Sequence, residues 1–164
     1  MESMLNLNGF YNVDHLRSGL LIAKYQIPND VLNDGKNKIF NVMFNDATPI
    51  ANNSWFISLI NLTSFSAIAA ADTMASHAGW VELTAYTQSN RVAWGSGTST
   101  AQSVTNSTPA TFDMNATNTV KGIFVCSNNT KGGTSGTIWS AAQFSSDVPV
   151  VNGDQLKITY TCNS

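Results

Sequence analysis

The chain has 164 residues, of which 43% are hydrophobic and only 11% are charged, and its formal net charge is −2. A chain of this length normally forms one domain and buries about 70% of the surface that it exposes when unfolded, so a core can form without disulfide or metal staples. The low net charge and the lack of a Lys/Arg cluster argue against direct contact with nucleic acid, because neutralising phosphates requires grouped cations.

Residues 1–17 show no apolar period that would bury one face, and we predict an extended N-terminal arm that becomes ordered when something packs against it. A single helical turn within residues 12–19 is the second option. This region also lacks a basic start followed by a continuous apolar run, which disfavours a secretory signal. No stretch approaches the ~20 apolar residues that cross a bilayer. We therefore expect cytoplasmic synthesis and no membrane partner.

Two β-rich runs follow the arm, at residues 19–27 and 38–44. Between them, Asn33, Asp34 and Gly35 form a strong turn signal. The pattern predicts a strand pair that joins the main sheets.

From about residue 54 onward, short apolar or alternating runs are separated by Gly/Asn/Ser/Thr-rich turns. The last run, residues 155–162, has the clearest period of two, with Leu156, Ile158, Tyr160 and Cys162 on one side. Strands at this spacing predict an all-β, antiparallel, jelly-roll-like β-sandwich over residues 18–164, as a single domain. One short helix is expected within residues 68–79, with Gly79 as its C-terminal stop.

Residues that could carry chemistry are few. His77 lies between Asp72 and Glu82, but this spacing does not bring the three side chains to one face, so we interpret His77 as part of a corner that leads into a strand. His15 stands about sixty residues away. The two cysteines, Cys126 and Cys162, have no zinc-type spacing and are expected to be free thiols.

A pair of carboxylates would have to involve Glu82 and Asp113, the only acids inside predicted strands, and nothing in the sequence supports such a pair. We predict no metal, no cofactor and no enzymatic activity.

The four tryptophans allow two interpretations. They could fill the core or a subunit contact, or they could stack on sugar rings from an exposed sheet face. The first is favoured, with Trp94 expected to reach the surface because it precedes a Gly/Ser/Thr-rich turn.

The words "ADTMASHAGWVELTAY" and "NGDQLKITYT", within a run that covers about residues 50–164, resemble small β-sandwich proteins of tailed-bacteriophage virions. The closest likeness is to capsid decoration, or cement, proteins. The resemblance implies a non-enzymatic protein, often a homotrimer, that binds the outer face of the major capsid protein shell and stabilises it. The expected location is the capsid surface of the virion.

In this interpretation the arm bridges neighbouring capsid subunits, and the candidate capsid or subunit contacts are apolar. They are Leu5, Leu7, Phe10, Tyr11 and Trp94. Two alternatives remain: a receptor- or carbohydrate-binding module of a tail or head fibre, and an intracellular hydrolase. The first needs exposed aromatic residues along a groove, and the second needs a pocket with convergent polar groups.

Overall fold

The structure is a computed structural model that describes residues 6–164. It contains ten β-strands, one α-helix and a single 3₁₀ turn at Asn52–Ser54. The helix α1 spans Asn33–Phe44. The strands are β1 Asn8–Arg17, β2 Leu20–Val31, β3 Phe56–Asn61, β4 Glu82–Leu83, β5 Val92–Ala93, β6 Ser103–Thr105, β7 Ala110–Asp113, β8 Asn118–Cys126, β9 Ile138–Val150 and β10 Gln155–Asn163.

All strand pairs are antiparallel and belong to one hydrogen-bonded sheet in the order β4-β3-β8-β9-β2-β1-β10-β6, with β5 also beside β3 and β7 beside β10. This confirms the predicted all-β fold. The sheet curls into a half-barrel, so its two ends face each other across a shared core. The alternation predicted for the last run is present, since Leu156, Ile158, Tyr160 and Cys162 are all buried in β10.

Strand β8 is covered on both faces. The larger core cluster lies inside the curl and includes Ile123 and Val125, while a smaller cluster on the opposite face includes Phe124 and Cys126. The smaller cluster is completed by Met74 and other side chains from the segment 62–80, which packs over the outer face of the sheet. Burial on both faces explains why residues 122–126 of this strand are continuously apolar.

The prediction of an N-terminal arm is wrong for residues 8–17, because these residues form a full strand inside the sheet. Strand β1 pairs with β10 from Asn8 to Leu16 and forms a hairpin with β2. Its buried side chains alternate, but two of the alternating positions hold Gly9 and His15, which hid the period of two from a hydropathy pattern. Residues 8–17 therefore belong to the domain and are not free to bridge neighbouring subunits.

The helix lies where a turn and a strand were predicted. Asn33, Asp34 and Gly35 form its first turn, and residues 38–44 complete it. A tertiary contact fixes this start: the Asp34 carboxylate accepts a hydrogen bond from the Ile138 backbone N–H at 2.9 Å. Gly35 also lies against Trp139, and a Cβ at position 35 would lie 2.9 Å from the indole ring. The sequence of the helix alone carries neither contact.

Residues 68–79 do not form the expected helix, and contain turns instead. Asp72 accepts hydrogen bonds from the Ala69 backbone N–H at 2.9 Å and from the Trp80 indole N–H at 2.8 Å. Thr73 and Ser76 exchange backbone hydrogen bonds at 3.0 and 3.1 Å. These local bonds offer the backbone an alternative to the helical pattern, and they hold Trp80 in the smaller core cluster.

Candidate functional site

His77 lies at the corner predicted from the sequence. Its ring stacks on Trp80 with 3.9 Å between ring centroids, and its Nδ1 lies 3.0 Å from the Trp80 carbonyl oxygen. Asp72 is bonded to the Trp80 indole, whereas Glu82 is bonded to Arg91. The three polar side chains thus have different partners, and the corner interpretation of His77 fits this geometry better than an acid-base cluster.

Glu82 and Arg91 form a buried, two-pronged ion pair that the sequence analysis missed. Arg91 Nε donates to Glu82 Oε1 at 3.0 Å, and Arg91 Nη2 donates to Oε2 at 2.7 Å. The side chain of Arg91 is fully buried and that of Glu82 is nearly so. Arginine is almost never fully buried unless it is paired, so an arginine in a short apolar run is expected to be exposed. Its partner, Glu82, lies nine positions earlier in the chain, and the local pattern therefore gives no sign of the pair.

The remaining hydrogen-bonding positions of Arg91 are also occupied. Its Nη1 donates to Cys126 Sγ at 3.2 Å and to the Asn128 carbonyl at 2.9 Å, and its Nη2 donates to the Gly133 carbonyl at 2.7 Å. Together with the two bonds to Glu82, these engage all five N–H groups of the guanidinium. Arg91 therefore ties residues 128–133 to the sheet and has no donor left for a substrate.

Glu82 is equally saturated. Its Oε1 also accepts from Ser58 Oγ at 2.5 Å, and its Oε2 accepts from the Gly132 backbone N–H at 2.8 Å. Since Ser58 donates to Glu82, the Tyr86 hydroxyl 3.1 Å away donates to Ser58. Burial, only partly offset by this hydrogen bond, raises the pKa of Tyr86 well above its ordinary value. This neutral tyrosine completes the hydrogen-bond network around Glu82.

A second polar cluster surrounds Asp154, in the turn before β10. Arg17 donates two hydrogen bonds to its carboxylate, both at 2.8 Å, and His15 Nε2 lies 2.8 Å from the same group. The Val151 backbone N–H adds a further bond at 3.0 Å. The hydrogen bonds from Arg17, followed by those from His15 and Val151, hold the pKa of buried Asp154 far below its usual range. The cluster joins the end of β1 to the turn before β10.

The two cysteines are free and buried, as predicted. They lie on different strands, Cys126 on β8 and Cys162 on β10. Burial raises the pKa of both thiols, which disfavours the reactive thiolate at neutral pH.

Asp113 does not share a partner with Glu82. It accepts hydrogen bonds from Gln88 Nε2 and Gln155 Nε2, each at 2.7 Å. Each carboxylate is therefore held by its own neighbours in a separate network.

The residues predicted as capsid or subunit contacts differ in their burial. Leu5 lies outside the described residues. Leu7 and Phe10 are half-buried, and Leu7 packs against the larger core cluster. Tyr11 and Trp94 are wrong as surface contacts, because both are buried in that cluster, where each ring packs on Tyr160. Trp94 also donates its indole N–H to the Tyr160 carbonyl at 3.0 Å, which accounts for its orientation away from solvent.

The most exposed large apolar side chains among the described residues lie elsewhere, on α1 and at the tip of the β1–β2 hairpin. Along α1, Phe40, Met43 and Phe44 are 53%, 67% and 75% exposed, and their i, i+3, i+4 spacing puts them on one stripe. At the hairpin tip, Leu20, Leu21 and Ile22 are exposed in succession. The helical spacing of Phe40, Met43 and Phe44 is the sequence signal that could have revealed the stripe on α1. It was missed because residues 38–44 were interpreted as a strand.

The remaining tryptophans do not form an exposed stacking platform. Trp80 is buried, while Trp55 and Trp139 are half-buried and contact each other edge to face, with 6.0 Å between ring centroids. Within residues 6–164, no group of three or more His, Cys, Asp or Glu side chains is placed to hold a metal ion. Among the described residues, no helix is long and apolar enough to span a bilayer.

Comparison of the chain with protein-family models and with curated proteins gave no match.

Proposed function

We propose that this chain is a structural virion protein of a tailed bacteriophage, and that it decorates the capsid by binding the outer surface of the major capsid protein shell. The likeness of residues 50–164 to small phage β-sandwich proteins supplies the biological context. The physical support is the solvent-exposed apolar stripe on α1, since exposed clusters of large apolar side chains mark protein contact surfaces.

The polar interior favours a mechanical role over a catalytic one. In the Glu82–Arg91 network, every donor of the guanidinium has a partner within the fold. A catalytic group needs hydrogen-bonding capacity that a substrate can use. A saturated network instead fixes residues 128–133 rigidly, which suits a block that must keep its shape on a shell.

The location of the proposed contact differs from the one inferred from sequence. Residues 8–17 are committed to the sheet, so we assign the capsid or trimer contact to the stripe Phe40, Met43 and Phe44 and to the hairpin tip Leu20–Ile22. Many weak contacts of this kind act together on a shell of repeated sites and give strong overall attachment.

The stoichiometry of the particle tests the proposal. Intact particles would be purified on a density gradient, and this chain would be quantified against the major capsid protein by mass spectrometry. We expect hundreds of copies per particle, because only a shell lattice offers that many equivalent sites. A handful of copies would move the chain to the tail or a fibre, and its absence would overturn the virion assignment.

A paired variant tests the surface. Phe40→Ser with Phe44→Ser should lower the occupancy of purified particles, whereas Thr98→Ser, in an exposed loop, should leave occupancy unchanged. Equal occupancy for the two variants would remove α1 from the contact.

The carbohydrate-binding alternative has less support from the side chains. Its stacking platform would require exposed tryptophans, and Trp80 and Trp94 are buried. A glycan-array measurement on the full chain separates it from the decoration role.

A further inference from the structure

A recess of about 250 Å³ opens beside the corner that contains His77. Its lining comes from three parts of the chain, namely residues 74–82, Phe124 of β8 and residues 132–134. Met74, Trp80 and Phe124 are themselves buried and give the recess an apolar floor, in which the two rings lie 5.0 Å apart between centroids. A cavity of about 150 Å³ with apolar walls is enough to hold a benzene ring, so this recess has room for one six-membered ring with a small substituent.

Two contacts fix the orientation of the His77 ring, which lines the recess. The ring stacks on Trp80, and its Nδ1 lies 3.0 Å from the Trp80 carbonyl oxygen. A carbonyl oxygen can only accept, so Nδ1 carries the hydrogen, and in the neutral ring Nε2 is left as an acceptor. Among the described residues, this Nε2 has no hydrogen-bond partner. The fold therefore holds an acceptor in a fixed orientation without using it.

The ion pair next to the recess is neutral overall and already saturated. Glu82 lines the recess, but each of its carboxylate oxygens accepts two hydrogen bonds within the fold. Its partner Arg91 places the guanidinium carbon 5.3 Å from the centroid of the Phe124 ring. A charged ligand would be desolvated here without an opposite charge to pair with, so the recess favours a neutral ligand.

We propose that this recess is a binding site for a small, neutral, planar ring that carries one O–H or N–H donor. The ring lies against the apolar floor of Trp80 and Phe124, and its donor bonds to His77 Nε2. A ligand with several hydroxyl groups is disfavoured, because the apolar floor would leave most of them unpaired. The recess shares no residue with the stripe on α1 or with the hairpin tip, so the assignment is independent of the virion role.

Phenol is the probe that tests this site, and anisole is its matched control, because anisole has the same ring but its hydroxyl group is methylated. Each would be titrated into the full-length, nitrogen-15-labelled chain while the imidazole nitrogen signals of both histidines are followed by NMR. We expect saturable binding of phenol that shifts the Nε2 signal of His77 and leaves His15, which is bonded to Asp154, unchanged. Anisole cannot donate a hydrogen bond and should bind about three- to tenfold more weakly.

Two variants locate the site. His77→Phe keeps a ring that can stack on Trp80 but removes the acceptor, so phenol should lose its advantage over anisole. Thr134→Trp places a large side chain at the exposed rim of the recess and should weaken the binding of both ligands by about tenfold or more. Thr98→Trp, in an exposed loop outside the recess, should leave both affinities unchanged.

The proposal is supported if the preference for phenol is seen in the wild type and Thr134→Trp blocks binding at an unchanged melting temperature. It is overturned if phenol does not bind saturably, if phenol and anisole bind the wild type equally, or if Thr134→Trp and Thr98→Trp bind phenol equally. In each of those cases His77 only supports Trp80. The anisole comparison and the Thr134 variant decide the outcome even if His77→Phe does not fold.

Discussion

The two ends of the β8–β9–β2 part of the sheet are built in opposite ways. Around β8 the sheet is covered on both faces, and the one buried arginine has all five donors occupied. Among the described residues, β2 is paired on one side only for most of its length, and its tip is apolar and exposed. The comparison separates a region whose strand is covered on both faces from a region whose strand edge is left open within residues 6–164.

The largest effect is expected from breaking the closed region at Arg91. Arg91→Leu leaves the buried Glu82 carboxylate without its cation, and we expect a loss of about 3–5 kcal/mol in the free energy of unfolding. Urea denaturation of the two proteins measures this loss.

The matched control for that experiment is Arg17→Leu, because Arg17 also pairs with a buried carboxylate but is 46% exposed at its side chain. Its loss should be clearly smaller. The double variant Glu82→Leu with Arg91→Leu should lose less than the sum of the two single variants, since neither charge is then left unpaired. Equal losses for Arg17 and Arg91 would contradict the saturated-network account.

A medium effect, with a defined pH dependence, is expected at Asp154. The folded-state pKa of this carboxylate is depressed, chiefly by the hydrogen bonds from Arg17, so the unfolded chain takes up the proton first as the pH falls. The stabilisation is therefore complete above the ordinary carboxyl pKa of about 4 and decreases as the pH falls below it. Asp154→Asn should cost about 2–3 kcal/mol at pH 7, with a smaller difference from wild type at pH 3.

Denaturation of both proteins from pH 7 to pH 3 measures that difference. Asp147→Asn is the control, because Asp147 is 46% exposed in its surface pair with Lys121. A constant difference between Asp154→Asn and wild type over this range would show that charge is not what Asp154 contributes.

The smallest effect on stability is expected at the open side. Phe40→Ser should change the free energy of unfolding by no more than about 0.5 kcal/mol, because the ring is more than half exposed. Phe124→Ala is the comparison in the closed region, where loss of a fully buried ring should cost about 3–5 kcal/mol. Thermal or urea unfolding measures the loss in free energy of unfolding for both variants. Similar losses for the two would contradict the contrast between the open and the closed region.

The sequence alone predicts a strand correctly where the pattern of apolar side chains is sufficient to define it. Leu156 to Cys162 alternate cleanly in β10, and the apolar run at residues 55–62 contains β3. In β1 the same period exists, but Gly9 and His15 occupy inward positions because of close packing and the bond to Asp154. Long-range partners of this kind are absent from a local pattern.

The helix and the buried polar network were missed for the same physical reason. Residues 33–44 combine a turn signal with a strand-like apolar run, and contacts from β9 to Asp34 and Gly35 support a helix there instead. Arg91 is buried because Glu82, Asn128 and Gly133 converge on it from three parts of the chain. For the same reason the exposed apolar residues were predicted in the wrong places. Trp94 was expected at the surface but is buried, and Phe44 was expected in a strand but is an exposed residue of α1.

Native-state hydrogen exchange of the free, full-length chain tests the central contrast most directly. The account predicts that backbone amides of residues 120–126 exchange only through global unfolding, while the outward-facing, alternate amides of residues 20–29 exchange close to the rate of an unfolded chain. Equally slow exchange in both segments would contradict it, because the edge of β2 would then already be paired within the free protein.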